Sequence, residues 1–146
     1  MSAAPREIVE AVSWLWLGMV LAISFLEAPL KFRAPGVDLR TGLAIGRLVF
    51  RALNGVEAAL AIVLVAGLVW GRPTGTLLVA GIAAVVLLAV QFVAVRPALS
   101  RRSDAVLSGT AGHDGPRSRA HLWYVVLEVL KVAALVVVGL GAAGTR

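Results

Sequence analysis

The chain has no cysteine among its 146 residues. That removes a disulfide framework, a thiolate metal centre and a cysteine nucleophile together, and with them zinc-ribbon and thiol-redox chemistry. Charge is scarce as well: 15% of residues are Asp, Glu, Lys or Arg, against about a quarter in an ordinary soluble domain. Histidine occurs only twice, and no paired metal-ligand spacing can be written from it. There is no plausible Ser-His-Asp set and no glycine-rich phosphate loop closed by a lysine, so enzymatic function is the least supported class. Glu57 with His121 offers an acid-base pair, but nothing beside it names a substrate. The basic residues give a net charge of +6 and a pI near 11.3. They sit in short segments between apolar runs, not on an aromatic-interleaved face, and no nucleic-acid partner is expected.

What is abundant is apolar: 60% of the residues are hydrophobic and the mean hydropathy is +0.92. A water-soluble domain of this size could not hide that much apolar surface. Four runs, at about 11–29, 50–70, 74–95 and 122–142, each approach the roughly 20 residues that cross a 30 Å hydrocarbon core. They predict one all-α domain, an integral membrane four-helix bundle with up-down topology. Gly71-Arg72-Pro73 separates runs two and three so briefly that these helices are expected to be antiparallel neighbours. The first run is read as a retained helix and not a cleaved signal. Glu7 and Glu10 offset the basic Arg6, and Pro29 follows the only small-residue candidate cleavage site.

Orientation follows from the cations outside the runs. Lys31, Arg33, Arg40, Arg47 and Arg51 lie in the first connection, and Arg96, Arg101, Arg102, Arg117 and Arg119 in the third. The opposite side carries Arg6, Arg72 and Arg146. This bias places connections one and three in the cytoplasm and both termini outside, in the inner or plasma membrane if the host is bacterial. Connection three, about 100–120, holds a Gly-rich polar stretch around His113 and reads as a flexible linker. Connection one has apolar residues at helical intervals after Asp38, and reads as an interfacial helix running into span two. Its Arg40, Arg47 and Arg51 are candidates for contact with anionic headgroups.

The informative residues are those that hydrocarbon should exclude. His121, Tyr124, Glu128 and Lys131, at offsets of three, four and three, share one face of span four; Arg47, Asn54 and Glu57 share one face of span two. Span one adds Ser24 and Glu27, and span three adds Gln91. Taken singly, Ser24 and Gln91 read as packing residues. At about 1.5 Å of rise per residue, Glu57 and Glu128 lie about 10 Å below the cytoplasmic boundary and Lys131 deeper. A lone charge there costs at least about 2.5 kcal/mol, so these groups are expected to face inward and pair, spans two and four packing with Glu57 near Lys131.

Two functional readings stand. One is a small transporter or channel-like protein whose Glu27, Asn54, Glu57, Gln91, His121, Tyr124, Glu128 and Lys131 form a cytoplasm-facing site for an ion or small solute. A four-span bundle is thin, and this version implies a homodimer or larger complex. The other is a structural or adaptor subunit whose polar faces bind another membrane protein or a second copy. No cofactor and no metal is expected.

Several motifs carry a resemblance. Gly18, Ser24-Phe25 and Pro29 form a G-x-x-x-x-x-S-F-x-x-x-P pattern; Leu30-Lys31-Phe32-Arg33 makes a basic-aromatic turn; and Gly46-Arg47-Leu48-Val49-Phe50 gives a G-x-x-x-F helix start. Together they resemble the transmembrane protein 205-like family, also called domain of unknown function 4149. Arg96-Pro97 and the face from His121 to Lys131 sit where such proteins have their third loop and last span. The resemblance implies a polytopic membrane protein without assigned chemistry, whose eukaryotic relative is associated with drug resistance and secretion. Val12-Ser13-Trp14-Leu15-Trp16-Leu17-Gly18 is more distantly similar to the copper-resistance D and membrane protoporphyrinogen oxidase groups. Those carry a histidine in the first span for metal or haem, and this first span has none.

Overall fold

A computed structural model describes residues 1–109 and 119–144, with positions 95, 98–99, 102–103, 106 and 119–121 defined by backbone alone. Among the described residues every regular element is a helix. Helix α1 is Ala3–Arg33 and α2 is Leu39–Gly71. Helix α3 covers 75–107, and α4 is Arg119–Gly144. Four stretches, Ala3–Arg33, Leu39–Gly71, Gly75–Ala94 and Leu122–Gly144, are long and apolar enough to cross a bilayer, as expected from the four runs. Only 28% to 33% of their most apolar windows is buried inside the molecule. The remaining apolar surface needs a nonaqueous solvent, which makes this a multi-pass membrane protein.

Each helix buries one stripe. In α1 the stripe is Val9, Val12, Trp16, Leu17 and Val20; in α2 it is Leu53, Glu57, Leu60, Leu64 and Leu68. Spacings of three and four put these residues on one face. Helix α1 packs broadly on α2 and α4, and α4 on α3, giving the order 2-1-4-3 around the bundle. Small residues let the backbones close. A methyl group added at Gly67 of α2 would stand 2.8 Å from Val9, and one at Gly139 of α4 would stand 2.7 Å from the Trp14 ring.

Two expectations need correction, and a third holds in reduced form. Helices α2 and α3, joined by three residues, are neighbours through the narrowest of the four lateral interfaces. They enclose an apolar groove of about 440 Å³ lined by Val65, Val69, Ile82 and Val86. Spans two and four do not pack side by side; they stand diagonally, and only their long side chains meet. Positions 100–107 of the expected flexible loop are helical, while 110–118, including His113, lie outside the described residues. The extension of α3 lies against α2, where Arg47 pairs with Asp104. The helix foreseen before span two is present and fused to it without a break, its start capped by the Asp38 carboxylate accepting from Thr41 N–H at 2.8 Å.

Two π turns interrupt the regular winding, at Leu21–Glu27 in α1 and Gln91–Val95 in α3. In each, a backbone N–H reaches five residues back, Ala28 to Ile23 and Arg96 to Gln91. A proline occupies the second position of the winding that resumes, Pro29 and Pro97. Proline cannot donate to the carbonyl four residues before it and its ring crowds that carbonyl, so a loosened turn directly upstream relieves both defects. The α2–α3 connection carries strain of another kind. Arg72 is left-handed, with φ 46° and ψ 50°, at a cost on the order of 1–2 kcal/mol for a side-chain-bearing residue. The adjacent Gly71 would suit that conformation, but its missing side chain makes room for Met1 and Pro5.

Candidate functional site: a buried ionic network

Four helices contribute to one polar cluster. Glu57, Gln91, Glu128 and Lys131 are fully buried or within 1% of it. Glu57 is 14 residues from Gly71, Gln91 is 16 from Gly75 and Lys131 is 13 from Gly144. All three are therefore about 20–24 Å along their helices from the ends at Gly71, Gly75 and Gly144.

Lys131 is the hub. Its ammonium donates to Glu57 Oε1 and to Gln91 Oε1 at 2.8 Å, and it lies 3.1 Å from Glu128 Oε2. Three acceptors match its three N–H bonds. Glu57 also accepts from the Trp16 indole N–H at 3.0 Å and, through Oε2, from Arg96 at 3.0 Å. Glu128 accepts from Ser24 at 2.9 Å on one oxygen and from the Gln91 amide on the other. Two carboxyl groups thus face two basic side chains, Lys131 and Arg96, and the buried polar groups satisfy one another. Such mutual pairing offsets the cost of burying them.

The π turns build this site. Ser24 lies within the first and Gln91 opens the second, and each donates to a different oxygen of Glu128. Gln91 and Arg96 are five residues apart, which is about 140° around a regular α-helix. The extra residue in the turn brings both inward, Gln91 to Glu128 and Arg96 to Glu57. Arg96 also stacks on Phe92, its guanidinium carbon 3.8 Å from the ring centre. Desolvation lowers the Arg96 pKa and the charge of Glu57 opposes that shift; the group stays cationic.

One turn toward the N-terminal end of α4, Tyr124 OH lies 3.5 Å from Ser24 Oγ, and its ring meets Phe50 edge-on at 6.0 Å. Lys31 follows, its ammonium 5.4 Å and 5.6 Å from the Phe50 and Phe32 rings and 3.5 Å from Glu27. The Lys31-Phe32 pair packs on Gly42 and Gly46 of α2, where any side chain would collide with it.

The structure therefore brings together Glu57, Gln91, Glu128 and Lys131, with Tyr124 at the edge, and leaves Glu27, Asn54, Arg40, Arg47 and Arg51 outside. Glu27 belongs to the peripheral Lys31 pair. Asn54 is half-buried, with a side-chain oxygen that has no partner among the described residues. Arg47 pairs with Asp104 away from the cluster, Arg40 and Arg51 are exposed, and the side chain of His121 lies outside the described residues. Trp16 and Arg96, which the sequence does not single out, also bind Glu57, and Ser24, which reads as a packing residue, donates to Glu128. No group of three or more metal-ligating side chains occurs among the described residues. Compared with protein-family models, curated proteins and solved structures, the chain shows no match.

Proposed function

We propose that this is a small membrane transport or channel-like protein whose Glu57–Glu128–Lys131 cluster is an intramembrane site for an ion or small solute, reached from the cytoplasmic side. The carrying observation is that two interrupted helices each direct a donor onto one carboxylate, Glu128. Interrupted helices at the depth of a charge are the usual way membrane proteins build such sites. Because Lys131 already pairs with both Glu57 and Glu128, and Arg96 with Glu57, a proton or cation entering would compete with the Lys131 ammonium. Loading would free Lys131 and loosen contacts that tie α2, α3 and α4 together. That competition would link occupancy to helix packing. The cytoplasmic assignment rests on the excess of Lys and Arg in connections one and three, and Arg40 and Arg51 there suit anionic headgroups.

The full pairing of Lys131 favours a second reading, a structural or adaptor subunit in which the network fixes one helix arrangement for a protein partner or a second copy. Thermal melting of the detergent-purified protein separates the two. Melting is followed across pH and with metal ions, anions and lipophilic cations, for wild type and Glu128→Gln. A ligand that binds the native state raises the melting temperature. A ligand-specific rise that Glu128→Gln abolishes supports a site; a flat response with a merely less stable mutant supports the structural role.

A further inference from the structure

At the other end of the bundle, the α2–α3 groove runs from the connection into the apolar region. From Arg72 back to Val65 is seven residues, and from Leu78 to Val86 eight, so the groove is about 10–12 Å long, most of one leaflet of a 30 Å core. Its volume of about 440 Å³ lies within the range of small-molecule sites. Val65, Val69, Ile82 and Val86 are exposed on its outer wall, and the single charged group in the lining is Arg72. That guanidinium has no hydrogen-bond or ion-pair partner among the described residues. It stands at the end of both helices, where headgroups lie, and is held there by a left-handed backbone that glycine would adopt without strain.

We infer that the α2–α3 groove holds one acyl chain of a phospholipid whose phosphate is gripped by Arg72. The match is chemical at both ends: an apolar channel one leaflet deep, and an unpaired planar cation at the depth of the phosphodiester. The narrow α2–α3 interface leaves the channel open, and the acyl chain fills what the two helices do not bury in each other. A second copy of the chain would need to insert side chains without meeting the charge on Arg72.

Native mass spectrometry of the full chain in neutral detergent with phosphatidylglycerol tests this. Wild type is expected to retain one lipid at saturation. Titrated over lipid concentration, Arg72→Ala and the groove-filling Ile82→Trp should each raise the apparent Kd roughly tenfold, while Leu140→Trp, at an exposed apolar site on α4, should leave it unchanged. Arg72→Gly should weaken lipid binding in the same way yet melt higher in lipid-free detergent, because backbone strain is relieved. An equal apparent Kd in wild type, Arg72→Ala and Ile82→Trp would overturn the inference. So would a dimer that Ile82→Trp abolishes while lipid retention stays intact, which would assign the groove to a second copy.

Discussion

At the scale of single residues, the network is defined by how completely each charge is paired. Lys131→Met leaves two carboxylates facing one arginine, and is expected to destabilise the protein by about 3–5 kcal/mol. The double variant Glu57→Gln with Lys131→Met retains Arg96 and Glu128 as a neutral set. Its loss should fall short of the two single losses added together by about 1–3 kcal/mol, as measured by denaturant unfolding in detergent. Exchanging the two charges is a poorer diagnostic. A lysine at position 57 would meet Arg96, and a glutamate at position 131 would meet Glu128. Glu57, Gln91, Glu128 and Lys131 were legible because hydrocarbon excludes them and helical spacing gathers them on faces. Arg96 was not legible, since counting in steps of 3.6 residues places it away from Gln91. Trp16 was hidden for a different reason: an indole in an apolar run reads as packing or interfacial aromatic until its N–H is seen to have a carboxylate partner.

At the scale of helices, the spans were legible from run length and their continuations were not. Helix α3 runs to Leu107 through a polar segment that hydropathy assigns to a loop, with Asp104 paired to Arg47. The sequence did carry a signal for the π turns, in the prolines at 29 and 97 near the ends of apolar runs. Pro97→Ala supplies an N–H for the carbonyl of Val93 and lets α3 rewind as α-helix, turning Arg96 away from Glu57. A gain in helix propensity should thus appear as a lower melting temperature and a weaker effect of Glu57→Gln. Glycines sort by their surroundings. Gly55 has open space around its Cα, and Gly55→Ala should stabilise by about 0.5–1 kcal/mol. Gly139→Ala forces a methyl group into the Trp14 ring and should cost about 1–3 kcal/mol. Parallel melting curves of these two variants check the packing of α1 on α4.

At the scale of the whole molecule, the absence of cysteine makes orientation directly measurable. Single-cysteine variants Thr74→Cys, in the α2–α3 connection, and Ser108→Cys, just past α3, should react with a membrane-impermeant maleimide from opposite sides: Thr74→Cys in intact cells, Ser108→Cys only after permeabilisation. Labelling of both from one side would contradict the up-down arrangement. The 2-1-4-3 order could not be read from the sequence, because four runs of similar hydropathy do not say which stripes face each other. It puts Glu57 and Lys131 on opposite corners, so their bond crosses the bundle axis. The length of α2 has a mechanical consequence. Its 33 residues make a rod about 50 Å long, some 20 Å more than the apolar slab it crosses. Pivoted at Glu57, a tilt of about 10° swings Leu39, 18 residues and about 27 Å away, through about 5 Å. Arg47, eight residues from Leu39 on that arm, pairs with Asp104 of α3, so any such tilt would have to break or carry along that contact.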